Sequence, residues 1–151
     1  MSTQTHIELE LTHLEEQFMP STAKTVPASN KRLWAGRILS SLAVLFLLFD
    51  GVVKMMKIDA VVESMAHLGY PVNLAFGLGI LQLALVALYL IPRTSVVGAI
   101  LWTGYLGGAV STHLRVGDPF FTHTIFPIYI AALIWGGLYL RDDRVSALVR
   151  S

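Results

Sequence analysis

Four apolar stretches, each about as long as a bilayer is thick, fill most of the chain between Trp34 and Leu140. A helix needs roughly 20 mostly apolar residues to cross the hydrocarbon, and the windows 31–54, 71–91, 95–112 and 119–140 each hold about 18–24. Lipid offers backbone amides no partner, so segments of this kind close their hydrogen bonds within themselves and become helical. Composition points the same way: 54% of residues are hydrophobic and 14% are charged, against about 25% charged in globular domains. The expected fold is all-α, an integral membrane four-helix bundle.

The same composition removes several functions. A net charge of +1 without a basic stripe leaves no footprint for nucleic acid. The chain has no cysteine, so thiol relays, thiolate zinc sites and iron–sulfur clusters have no ligands within it. The first apolar run follows a long polar segment and continues into Asp50-Gly51-Val52-Val53-Lys54 without a small-residue cleavage site. The first span is therefore expected to remain as an anchor.

Residues 1–30 read as an acidic cytoplasmic tail carrying Glu8, Glu10, Glu15 and Glu16, and residues 31–151 as the membrane domain. Ile7, Leu11, Leu14 and Phe18 share one helical face of the tail. Asn30, Thr94 and Asp118 are candidate N-caps, and Pro71 and Pro119 suit first helical turns. Between the first two spans, Ile58, Val61, Val62, Met65 and Leu68 recur at helical spacing, and Gly69 follows where a C-cap glycine belongs. This segment reads as a short amphipathic helix, lying either in the interface plane or over the bundle as a lid. Basic residues set the orientation. Lys24, Lys31, Arg32, Arg37, Arg93, Arg141, Arg144 and Arg150 fall on one side, and Lys54, Lys57 and Arg115 on the other. That asymmetry places both termini in the cytoplasm.

Helices associate in lipid by close backbone approach and polar contacts. Gly104, Gly107 and Gly108 give the third span small-residue rows, which predict a central place for it. Those rows also offer a seam for homo-oligomers. Gly136 and Gly137 offer a seam on the fourth span, and Ala75 with Gly79 on the second. Gln82 is the candidate interhelical hydrogen-bonding residue. Pro127 cannot donate to the His123 carbonyl, so a kink is expected there.

The ionisable residues gather at the non-cytoplasmic end: Asp50, Lys54, Glu63, His67, His113, Arg115, Asp118 and His123. Charges at membrane depth are costly and usually pair or face a cavity. Three readings of this end stay open. One is a structural polar cap. Another is a pocket for an amphiphile such as a quinone, with Trp102 and Tyr105 lining an apolar slot. The third is metal or haem ligation through His113, His123 and His67, although no tight metal-ligand spacing is present.

Leu68-Gly69-Tyr70-Pro71, Leu90-Ile91-Pro92-Arg93-Thr94-Ser95, Gly98-Ala99-Ile100-Leu101 and above all the block from Gly104 to Pro119, with its Ser111-Thr112-His113-Leu114-Arg115-Val116-Gly117-Asp118 core, resemble the DoxX-like family of small bacterial membrane proteins. The resemblance runs from about Leu33 to Leu140. It implies a multi-pass four-helix bundle of the bacterial inner membrane, acting as an accessory subunit with a redox association. The wider group includes a subunit of a thiosulfate:quinone oxidoreductase. No cofactor is identifiable from it, a quinone being one that the polar end could take, and other membrane or redox subunits, alongside the lipid bilayer, are the expected partners. The resemblance carries over no catalytic residue, so a quinone-interacting component and a scaffold using the acidic tail stand beside the accessory-subunit reading.

Overall fold

A computed structural model describes residues 30–150. The expectations for the acidic tail lie outside the described residues. The elements are α1 (Asn30–Met56), α2 (Asp59–His67), α3 (Asn73–Leu90), α4 (Ser95–Val116), a π-helical turn (Phe120–Thr124), α5 (Phe126–Arg141) and α6 (Asp143–Arg150). No strand occurs among the described residues.

Three helical segments are long and apolar enough to cross a membrane: Asn30–Met56, Asn73–Leu90 and Phe120–Arg141. Only 28–33% of their most apolar windows is buried inside the molecule. The rest, including Leu45, Phe49 and Leu90, faces outward, as lipid-solvated helices must. α4 has the length, 22 residues, but its glycine, serine and threonine residues make it less apolar than the other three.

Around the bundle α1 packs on α3 and α5, and α4 packs on α3 and α5, so α1 and α4 stand on the diagonal. The heaviest packing belongs to α1, not to α4. The glycines explain this departure from expectation. A Cβ at Gly137 would collide with Ser40 Oγ, and one at Gly36 would lie 2.9 Å from the Gly137 carbonyl oxygen. Gly79 approaches the Gly51 carbonyl to 2.8 Å on the same measure, and Gly98 the Tyr89 amide to 2.7 Å. At Gly104, Gly107 and Gly108 a Cβ would meet nothing within 4 Å among the described residues. The close seams therefore join α1 to α5, α1 to α3 and α3 to α4, the last through Gly98, while Gly104, Gly107 and Gly108 of α4 leave space instead.

Polar pins lock the half of the bundle around Ser40, Tyr89 and Arg141. Tyr89, 1% exposed, donates its hydroxyl to the Ile134 carbonyl at 2.8 Å and pairs with Ser40 Oγ at 3.0 Å. One side chain thus ties α3 to α5 and α1. The Arg141 guanidinium sits 4.6 Å from the Tyr89 ring centroid and donates to the Tyr89 carbonyl at 3.1 Å. Thr94 precedes α4 without capping it. Its hydroxyl donates backwards to the Leu88 carbonyl at 2.8 Å and satisfies the end of α3.

The break expected at Pro127 lies two residues earlier, at Ile125, where the π-helical turn gives way to α5. Pro127 occupies the second position of α5, where its missing N–H removes no intrahelical bond.

The glycine geometry makes a direct prediction. Gly137→Ala forces apart backbones already in contact and is expected to destabilise the bundle by about 1–3 kcal/mol, whereas Gly107→Ala leaves it unchanged. Thermal unfolding in detergent, followed by circular dichroism, checks this; equal melting temperatures for the two variants would contradict the assignment of the seams.

Candidate functional site

The opposite half of the bundle holds a half-open cavity of about 650 Å³ between α1, α3, α4 and α5, with α2 across it. That volume lies within the range of small-molecule pockets, roughly 300–1,000 Å³. Leu47, Leu78, Leu106 and Ile130 give it apolar walls. Phe46 and Phe126 both line it and pack edge to face, with centroids 5.3 Å apart, across the α1–α5 side. The open space at Gly104 and Gly108 belongs to this cavity, since both residues line it.

The sequence left two places for α2, and the structure puts it over the cavity. Val61 and Met65 are buried and form a small core with Ala75, backed by Tyr70 and Leu78. Ala60, Ser64 and Leu68 complete the roof. Both ends of α2 turn through left-handed backbone. Lys57 has φ +50°, a conformation that costs a non-glycine residue roughly 1–2 kcal/mol. Gly69 has φ +72° and closes a Schellman motif, with Tyr70 N–H donating to the Met65 carbonyl at 2.8 Å and Gly69 N–H to that of Ala66 at 3.0 Å.

A second Schellman turn builds the polar cluster beside the roof. Gly117, at φ +76°, reverses the chain after α4, and Asp118 N–H donates to the His113 carbonyl at 3.1 Å. This turn folds the Asp118 carboxylate back onto its own helix. One oxygen meets His113 Nδ1 at 2.6 Å, and the other meets His67 Nε2, on α2, at 2.7 Å. The carboxylate expected to cap the next helix therefore bridges two imidazoles; no side-chain cap is made there. The hydrogen bonds from His113, and then from His67, hold the Asp118 carboxyl below the usual carboxylate range, against the upward push of desolvation. Arg115 donates to the Leu68 carbonyl at 2.5 Å, and its guanidinium lies 5.9 Å from the Tyr70 ring centroid. Tyr70 and Thr112 pair through their hydroxyls at 3.0 Å.

Deeper in the cavity a second polar chain crosses three helices. Lys54 pairs with Asp50 one turn away on α1. Gln82, fully buried on α3, donates to Asp50 Oδ2 at 2.8 Å and to the Leu47 carbonyl at 2.9 Å. Its own Oε1 accepts from the Tyr105 hydroxyl of α4 at 3.0 Å. Tyr105 lies eight residues before His113 on α4, or about 12 Å along the helix axis.

Of the residues singled out from the sequence, Asp50, Lys54 and His113 line the cavity. His67, Arg115 and Asp118 hold its roof. His123 stands behind His113, with ring centroids 6.1 Å apart, and pairs with Thr122. Glu63 is exposed on α2 and joins neither polar chain. Trp102, expected to line an apolar slot with Tyr105, is instead in the core against that ring and off the cavity wall. Its Nε1–H is the one buried side-chain polar atom without a partner among the described residues. No group of three or more histidine, cysteine or acidic residues converges as a metal site among the described residues. Gln82 and Tyr70 carry structure that spacing alone did not assign to the cavity. Gln82 could have been placed there by its register opposite Asp50.

A family model described as the DoxX-like family matches residues 38–137. No curated protein and no solved structure matches the chain.

The bridge at Asp118 makes the roof acid-sensitive. Folding holds this carboxyl's pKa down, so its stabilising contribution is complete above the ordinary carboxylate value of about 3.9 and is lost as pH falls below it. A protonated imidazole still donates to an ionised carboxylate, so the loss follows the carboxyl. A spin label at Ala66→Cys, on the exposed face of α2, should stay immobile from pH 7 to about 5 and gain mobility in more acid solution. Asp118→Asn should already show that mobility at pH 7. Unchanged spectra in both cases would contradict the bridge.

Proposed function

The chain belongs to the DoxX-like family, and from that premise we propose that this membrane protein binds an apolar small molecule with a polar head, of the size and kind of a quinone. The observation that carries this reading is the cavity of about 650 Å³. It is a half-open cleft beneath α2, concave and lined mostly by apolar side chains, the form that small-molecule sites take. Here glycines at 104 and 108 hold it open, and polar groups sit at two depths on otherwise apolar walls. That pattern suits an amphiphile drawn from the bilayer.

Among the ionisable residues at this end, Asp50, His113, Arg115 and His123 are the candidate contacts of such a ligand. The cavity supports Asp50 and His113 in that role and moves Arg115 and His123 to the structure around it. The protein's place in this proposal is that of a redox-associated accessory component, presenting or holding a membrane-soluble carrier, with no chemical step assigned. The basic residues at the end formed by Arg32, Arg93, Arg141 and Arg144 support an inner-membrane orientation with both termini cytoplasmic.

Filling the cavity tests the proposal without breaking the fold. A side chain at Gly104 meets no atom within 4 Å at its Cβ, so Gly104→Leu projects into the void. In nanodiscs, a decyl-substituted benzoquinone should quench tryptophan fluorescence saturably in the unaltered protein. Gly104→Leu should weaken that binding at least tenfold while keeping the helical circular dichroism spectrum. Equal affinity in the two proteins would overturn the proposal.

A further inference from the structure

The polar atoms on the cavity wall differ in what they have left to offer. Asp50 and Lys54 neutralise one another, and Asp50 also accepts from Gln82. The Tyr105 hydroxyl proton is committed to Gln82. Thr112 donates to the Gly108 carbonyl and pairs with Tyr70. Ser64, exposed on α2, has a rotatable hydroxyl that can donate or accept and so sets no preference. His113 is different. Its Nδ1 is fixed at 2.6 Å by the Asp118 carboxylate, and its Nε2 has no hydrogen bond among the described residues and is not sealed off. The side chain is 22% exposed and lines the cavity.

Fixing one nitrogen defines the other. An ionised carboxylate accepts, so Nδ1 carries the proton, and in the neutral ring Nε2 then presents a lone pair. A lone pair in a largely apolar enclosure is matched by a donor, not by a second acceptor. We propose that His113 recognises the head of the cavity ligand through Nε2, that Asp118 is its positioning residue, and that the ligand class is a hydroxyl-bearing one, a phenol or hydroquinone with an apolar tail. This rests on the reading of the cavity as a ligand site and adds to it which chemical form is preferred and which side chain selects it.

The tail matches the geometry. Below His113 the cavity continues along α4 towards Leu106, with Leu47 and Ile130 on the facing helices. Asp118 also holds His67, so the group that aims His113 is the one that fastens the roof above it. A head bonded to Nε2 would lie beneath a closed α2.

The test compares 4-nonylphenol with its methyl ether, which has the same tail and no proton to give. Both are titrated into the full chain in nanodiscs by tryptophan quenching. The phenol should bind at least tenfold more tightly. His113→Ala should bring the ratio close to one while ether binding persists, which shows the cavity intact, and Asp118→Asn, which also frees the roof, should bring the ratio close to one with both probes bound more weakly. His113→Gln, which keeps an acceptor, should restore part of the preference. A preference unchanged in His113→Ala or in Asp118→Asn overturns the inference. So does loss of both probes in His113→Ala and His113→Gln alike, since a head contact cannot account for ether binding. The premise fails separately: if Gly104→Leu binds both probes as the unaltered protein does, the cavity is not the site at all.

Discussion

Lipid gives a polar atom nothing to bond with, and the arrangement of this bundle follows from that deprivation. Apart from Trp102 Nε1, each buried side-chain oxygen or nitrogen among the described residues finds a partner. Tyr89 does so near the end of α3, where one hydroxyl bonds both α1 and α5. Gln82 does so about two turns earlier on that helix, spending its amide on Leu47, Asp50 and Tyr105. Interhelical bonds of this kind are worth about 0.5–2 kcal/mol each in membranes, so their stabilisation is modest. Their greater effect is on register, because a helix that slid or rotated by one residue would strand them in hydrocarbon at several kcal/mol per group.

With register fixed, the glycines separate into two kinds by what stands opposite them. Gly36, Gly79, Gly98 and Gly137 let backbones touch. Gly104 and Gly108 face an unfilled space. Two further glycines act through backbone conformation. Gly69 and Gly117 both end helices in the left-handed region, and each reverses the chain so that the following residue, Tyr70 or Asp118, lands beside the cavity. The polar end is thus assembled by two turns of the same type, one after the roof helix and one after α4, which Asp118, Arg115 and Tyr70 stitch together. Little backbone packing holds α2, so these side chains decide whether the roof is closed.

Much of this was legible in the chain. The apolar windows, the short amphipathic helix and the glycine after it follow from hydropathy, periodicity and turn chemistry, which are local. The resemblance borne by residues from Gly104 to Pro119 points to the family that the match over 38–137 establishes. Contacts between distant residues were harder to read. A row of glycines looks the same whether it meets a backbone or a void, so Gly104, Gly107 and Gly108 suggested a seam within the bundle that they do not form. Asp118 before Pro119 has the form of a helix cap, but Gly117 turns it back towards two histidines, one of them 51 residues away in sequence. Tyr89 carries no local sign that three helices meet on it. A cavity is the shape left between helices, and no window of sequence contains it.

The account comes down to whether the space under α2 is occupied in the membrane. Native mass spectrometry of the full chain released directly from its membranes measures this. The account predicts the chain with one apolar small molecule attached, together with a Gly108→Leu protein that folds and carries none. A chain that flies bare under conditions that preserve bound lipid, or an adduct equally present in Gly108→Leu, would contradict it.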